Sequence, residues 1–263
     1  MKIRQYLNEG ISIIDDKVVM NTEQDSENDI LNLLNVDIYK ADFLGNIYYF
    51  GYRFNDTASR KDRTTIIKWL KGIAPESIDN KSLRQFIRKP LLALNHRINL
   101  TTIDAILYPR SNRSNLNKVI ANELNKLTSH KTERRSFELI KTLPNSVQFD
   151  WNMFNYDYEG DIGDNQYKQI YNYIENTLIP KIHDLSYFSI ADNVKYKYRQ
   201  YIKDYLKFPN EDVENTIKAI QNGTILIVDD INTSGSTLTE ILRIVHQINN
   251  NCDIYIFTLI GKE

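Results

Sequence analysis

Apolar residues along this chain recur sometimes at strand spacing and sometimes at helix spacing, and the changes from one to the other mark its elements. From Val36 to Phe43 and from Ile47 to Phe54, aromatic and β-branched residues flank Leu44-Gly45-Asn46. That predicts a hairpin whose aromatic stripe belongs to the core. Asp56 to Arg63 reads as a charged loop, and Ile66, Ile67 and Leu70 begin a helix that Gly72 and Pro75 close. A second helix is predicted over Ser82 to Ile98, with Leu83, Phe86, Ile87, Leu91 and Leu94 inward and Pro90 as a kink. Ile103 to Tyr108 is a strand, Pro109-Arg110-Ser111-Asn112-Arg113-Ser114 a loop, and Leu116, Val119, Ile120, Leu124 and Leu127 the inner face of a helix. The same succession returns later. After the turn dipeptide Asn222-Gly223, Ile225 to Val228 form an uninterrupted apolar run, the pattern of a strand buried on both faces of a parallel sheet. Leu238, Ile241, Leu242, Val245 and Ile248 then recur at helical spacing, with Glu240, Arg243 and Gln247 off that face.

Elsewhere the pattern carries less. Residues before Asn35 alternate short apolar runs, Ile11 to Ile14 and Val18 to Met20, with a polar run from Asn21 to Asp29. Between Lys131 and Lys207, Phe137 to Ile140 is a candidate strand, Phe149 to Asp164 a tyrosine- and acid-rich span, and Tyr167 to Leu178 a helical stretch. Asp157, Glu159, Asp161 and Asp164 miss the offsets of a calcium loop, so a solvated acidic loop is expected there.

Composition narrows the classes. At 263 residues and 41% hydrophobic, the chain buries a full core as one large domain, or one domain with an appendage. A net charge of -1 and a pI near 6.5 give no general attraction to nucleic acid or an anionic membrane. The basic clusters at Arg60 to Arg63 and Lys131 to Arg135 are short and read as solvated faces. Cys252 is the single cysteine, which excludes an internal disulfide and a Cys-based zinc site and fits a reducing, cytoplasmic setting. His96, His130, His183 and His246 have no metal-ligand spacing, so no protein metal site is expected. Met1 to Tyr6 lacks the apolar region of a signal peptide, and no apolar run approaches the ~20 residues of a membrane span.

Both strand-loop-helix units place a loop at a helix amino terminus, where unpaired N–H groups and the helix dipole favour an anion. In the second, Gly235 lets the backbone come close, and Thr233, Ser234, Ser236 and Thr237 add hydroxyl donors. No lysine stands in that loop, so it is not the nucleoside-triphosphate P-loop. In the first, Arg110 and Arg113 offer planar, multidentate donors to a pyrophosphate. Asp229 and Asp230 would repel a phosphate, but they suit the vicinal hydroxyls of a ribose.

Hydrophobic residues, an acidic pair and Thr233-Ser234-Gly235-Ser236-Thr237 together resemble the phosphoribosyl-pyrophosphate (PRPP) signature of the type I phosphoribosyltransferases, with serine for the second threonine of T-T-G-x-T. Trp69-Leu70-Lys71, Asp104-Ala105-Ile106-Leu107-Tyr108-Pro109 and Tyr255 to Leu259 make the layout similar to the ComF-like members associated with DNA uptake. Ser114-Asn115-Leu116-Asn117-Lys118 replaces their usual R-G-F-N-Q, and there is no amino-terminal cysteine-rich module.

The resemblance implies an α/β fold with an open, mainly parallel twisted sheet flanked by helices, plus an added hairpin and hood. Residues 1–98 would be an amino-terminal hairpin and helical appendage, and 99–263 the core, with a hood inserted at about 135–207. The implied activity is transfer of a phosphoribosyl group from PRPP to an unidentified acceptor, with Mg²⁺ carried mainly by PRPP. Asp229 and Asp230 would then be catalytic, Thr233 to Thr237 would hold the 5′-phosphate, and Pro109, Arg110, Ser111, Asn112, Arg113 and Ser114 the pyrophosphate. That loop is often strained or cis in the family. The alternative is a non-catalytic PRPP- or nucleotide-binding regulator, or a competence-type accessory protein. Expected partners are small molecules, not nucleic acid or membrane, and a homodimer is a possible assembly.

Overall fold

The computed structural model describes residues 4–5, 11–14, 17–20, 38–54, 58–74, 77–127, 135–158 and 162–261. The polar run from Asn21 to Asp29, Pro75, Lys131 to Arg134, Glu159 and Asp161 lie outside them. In chain order the strands are β1 (Arg4–Gln5), β2 (Ile11–Ile14), β3 (Lys17–Met20), β4 (Tyr39–Phe43), β5 (Asn46–Arg53), β6 (Ile103–Pro109), β7 (Arg135–Lys141), β8 (Gln148–Phe149), β9 (Ile202–Lys203), β10 (Leu206–Lys207), β11 (Thr224–Ile231) and β12 (Asp253–Gly261). The principal helices are α1 (Arg60–Leu70), α2 (Asn80–Arg97), α3 (Leu116–Leu127), α4 (Trp151–Tyr158), α5 (Asp164–Tyr173), α6 (Glu211–Lys218) and α7 (Ser236–His246).

The fold is α/β. Seven strands form a mixed, mostly parallel sheet in the order β10-β7-β6-β11-β12-β5-β4, flanked by helices. Strand β11 runs parallel to both β6 and β12, and β12 parallel to β5. The predicted hairpin, β4 antiparallel to β5, forms one edge. Strands β1, β2 and β3 make a separate antiparallel sheet. Ile225 to Val228 are wholly buried, as an apolar run with a neighbour on each side and cover on both faces requires.

By its packing the chain divides into two units. The first comprises Met1–Glu138, Lys218–Thr233 and Asn251–Glu263; the second comprises Leu139–Ile217 and Ser234–Asn250. In the first, Leu226 and Val228 pack in one cluster with Leu70, Leu91, Leu116 and Ile120, so alternate residues of β11 face the helices α1 to α3. Helix α1 starts at Arg60, six residues before the predicted onset, because Ser59 caps it. Its Oγ accepts from the Asp62 N–H at 3.2 Å. Arg60 to Arg63, the end of the charged stretch read as loop, therefore supply the first turn; Asp56 lies outside the described residues. Pro90 does not interrupt α2, which runs to Arg97. Its ring instead lies against Gly51 of β5, where a Cβ would stand 2.5 Å from the Pro90 Cβ.

The second unit holds an aromatic cluster. The tyrosine- and acid-rich span from Phe149 carries helix α4, which takes in Asp157 of the acidic stretch expected as a solvated loop. Trp151, Phe154 and Tyr158 recur at helical spacing and meet in ring contacts. Asp157 accepts from the Tyr201 hydroxyl at 3.0 Å and belongs to that packing. Helix α5 continues through a π turn, Ile174–Leu178, into Ile179–His183. No helix among the described residues is long and apolar enough to cross a membrane.

Candidate functional site

Strands β6 and β11 are parallel neighbours, yet the strand that follows each lies on the opposite side of the pair: β7 beyond β6, β12 beyond β11. Their outgoing loops therefore part at the carboxyl ends. A crevice at such a switch point is where open α/β sheets bind ligands.

Asp229 and Asp230 stand at that end. Strand β11 continues to Ile231, paired with Ile260 of β12, so both aspartates belong to the strand and not to the loop after Val228. They are 6% and 5% exposed, which rules out a solvated pair. Asp230 continues the row of Leu226 and Val228 and meets Lys71, whose Nζ lies 2.7 Å from its Oδ2. Lys71 is held there by the end of α1: its N–H bonds the Ile67 carbonyl, and Gly72 follows in the left-handed region at φ 69°. Burial alone would lower the Lys71 ammonium, but the facing Asp230 and then Asp229 hold it above its ordinary value. Asp229 accepts at Oδ1 from the Asn117 amide at 3.1 Å and from the Asp230 N–H at 2.9 Å. Burial, then the adjacent charge of Asp230, push its carboxyl up to about 7 against the opposing Lys71.

The loop after β6 opens onto a cleft of about 440 Å³ lined by Lys71 and by Ser111, Asn112, Arg113, Ser114 and Asn115. Of the six residues expected at a pyrophosphate, four line this cleft. Arg110 is exposed and does not, and Pro109 is buried, its carbonyl accepting from Asn117 at 3.0 Å. Ser114 caps α3 by accepting from the Leu116 N–H at 3.1 Å. No cis peptide occurs among the described residues, and no residue of this loop has a positive φ.

In the second unit, α7 begins directly after Gly235, which sits at φ 74°, a conformation that favours glycine. The Ser234 and Ser236 hydroxyls bond each other at 2.9 Å. Thr233, the last residue of the first unit's segment, is exposed, and Thr237 is half-buried. The Tyr205 hydroxyl donates to the Ser236 carbonyl at 2.8 Å, fixing the first turn of α7. The Tyr205 backbone is fixed in turn by Glu240, whose Oε1 accepts from its N–H at 3.1 Å while Arg243 clamps both carboxylate oxygens. Glu240, expected off the apolar face, is 2% exposed. Burial pushes its carboxyl up and Arg243 opposes this.

Among the described residues, no group of three or more His, Cys, Asp or Glu side chains could hold a metal ion. No protein-family model matches the chain, and no curated protein matches it. Sequence reasoning named the acidic pair and both loops but not Lys71 or Asn117 as site residues. Lys71 stood within Trp69-Leu70-Lys71, a run that carried the resemblance, and Asn117 stood within Ser114-Asn115-Leu116-Asn117-Lys118, at the asparagine position of R-G-F-N-Q.

Proposed function

We propose that this protein binds PRPP and transfers its phosphoribosyl group to an acceptor, releasing pyrophosphate, on a sheet of the type I phosphoribosyltransferase kind. The observation that carries the reading is the buried Asp229-Asp230 pair at the switch point of β6 and β11, with Lys71 and the β6 loop around one anion-sized cleft. Two carboxylates beside a cationic, N–H-rich loop match a ligand that is polyol at one part and polyanion at another.

In this reading the bond from the anomeric carbon to the pyrophosphate oxygen breaks, and pyrophosphate leaves with the electron pair. A bond to the acceptor forms at the same carbon. Arg113, Lys71 and the α3 amino terminus take up the charge growing on the leaving group. Asp229 and Asp230 hold the ribose hydroxyls and offset positive charge at the anomeric carbon. The resemblance assigns the 5′-phosphate to the loop Thr233 to Thr237. The two aspartates fit Mg²⁺ only as partial ligands, because Asp230 is engaged by Lys71. The ion would ride on PRPP oxygens and neutralise the pyrophosphate.

The test is a screen of candidate acceptors with PRPP and Mg²⁺, reading pyrophosphate release, alongside calorimetric titration of PRPP. The expected result is binding and, with one acceptor, turnover that Asp230→Asn reduces in kcat at least as much as it raises KM. Binding without turnover would make the protein a regulator, and no binding of any phosphoribosyl compound would end the proposal.

A further inference from the structure

Among the described residues, two buried side-chain atoms make no hydrogen bond: Oδ1 of Asn117 and Oδ1 of Asn232. Asn117 lies in the first turn of α3, and Asn232 directly follows β11. They are 5% and 8% exposed. Buried polar groups in folded proteins almost always have a partner, and those that do not call for an explanation such as a ligand. Both orphans belong to the segments that carry the acidic pair and the β6 loop.

The sense of the Asn117 amide is set by its neighbours. Its Nδ2 lies 3.0 Å from the Pro109 carbonyl oxygen and 3.1 Å from Asp229 Oδ1. A backbone carbonyl can only accept, and turning the amide over would press Oδ1 against it. The unpartnered atom is therefore an acceptor, and whatever completes it must bring an O–H or N–H. Phosphate and pyrophosphate oxygens at neutral pH are chiefly acceptors and cannot do so. Asp229 Oδ1, meanwhile, already receives two N–H donors.

We infer that Asn117 is a specificity-determining residue whose Oδ1 accepts the O–H of a hydroxyl on the bound sugar, beside Asp229. The inference rests on the phosphoribosyl reading above and adds to it a named acceptor that discriminates ribose from deoxyribose. A site that leaves a buried acceptor unpaired rejects the ligand lacking the matching hydroxyl more strongly than an apolar site rejects an extra one.

The experiment is calorimetric titration of the intact protein, without Mg²⁺ so that no metal-bound water supplies the donor. The probes are ribose 5-phosphate and its 2-deoxy and 3-deoxy analogues. The parent is expected to bind ribose 5-phosphate at least about tenfold more tightly than one of the two deoxy sugars. Asn117→Leu should shrink that ratio at least about threefold, beyond whatever loss all three sugars share from the broken bond to Asp229; Asn117→Ala replaces it if leucine does not fit. Equal weakening of all three sugars would make Asn117 merely structural and overturn the inference. A parent that does not discriminate overturns it whatever the variants do. Failure of the parent to bind any sugar phosphate would sink the phosphoribosyl reading and this inference together, whereas a preference that survives in the variants would sink the inference alone.

Discussion

Replacing Asp229 with asparagine should stabilise the protein above neutral pH and do little below about pH 4. The folded chain holds this carboxyl up near 7, chiefly by burial and then by the charge of Asp230, against 3.8 for an ordinary aspartate. A group whose folded value is raised binds its proton more tightly in the native state. Its contribution to stability is then fully present below about pH 4 and is lost as pH rises through about 7. At 1.36 kcal/mol per tenfold change, that interval corresponds to about 4 kcal/mol, and sharing of charge with Asp230 and Lys71 reduces it to about 2–4 kcal/mol. Asparagine keeps an Oδ1 that can accept from the Asn117 amide and the Asp230 N–H, the two bonds now made to Asp229. The assay is thermal and urea unfolding at half-unit steps from pH 4.5 to 8.5. The parent should lose stability from pH 4.5 to about 7.5, and Asp229→Asn should lose less, ending about 2–4 kcal/mol above the parent at pH 8. A variant less stable than the parent at pH 8, or parallel curves, would refute the reasoning.

Lys71→Met removes the cation facing Asp230 and leaves two neighbouring buried carboxylates uncompensated. It should cost about 3 kcal/mol at pH 8, less at pH 5 where Asp229 carries its proton, and Asp229→Asn added to it should recover much of the loss in a double-mutant cycle. Arg113 lines the cleft and Arg110 does not. Arg113→Ala should therefore weaken PRPP by about tenfold or more and ribose 5-phosphate little, with Arg110→Ala near the parent for both, as read by titration.

The elements legible in the sequence are those whose pattern is local. The Leu44-Gly45-Asn46 turn, the apolar run Ile225 to Val228 and the heptad-like spacing from Leu116 to Leu127 each settle their own structure within about a dozen residues, and all are found as read. The misreadings come where a distant partner decides. Strand β11 runs three residues past Val228 because β12 offers Thr258 and Ile260 as partners, and polarity at Asp229 and Asp230 gave no hint of that pairing. Glu240 reads as surface by composition, yet backbone N–H groups of Tyr205 and Leu206, about 35 positions earlier, draw it inside. Asp157 reads with its acidic neighbours as loop, although Trp151, Phe154 and Tyr158 at helical spacing place it within α4.

The acidic pair shows how the same logic operates in the site. Two adjacent carboxylates in a strand leave it toward opposite faces, so their nearest partners differ. Asp230 falls in the row of Leu226 and Val228 and meets the cation at the end of α1. Asp229 meets only amide donors and stays near 7. One aspartate is thus held by an ion pair, while its neighbour takes or releases a proton close to neutral pH, a division that suits groups with distinct tasks at one ligand. Lys71 joins them: its ammonium neutralises Asp230 while also lining the cleft of the β6 loop. An anion entering that cleft competes with Asp230 for the same cation. Lys71 also opposes the rise of Asp229, so occupation of the cleft should raise the proton affinity of Asp229, and ligand binding and proton uptake are coupled through that one side chain.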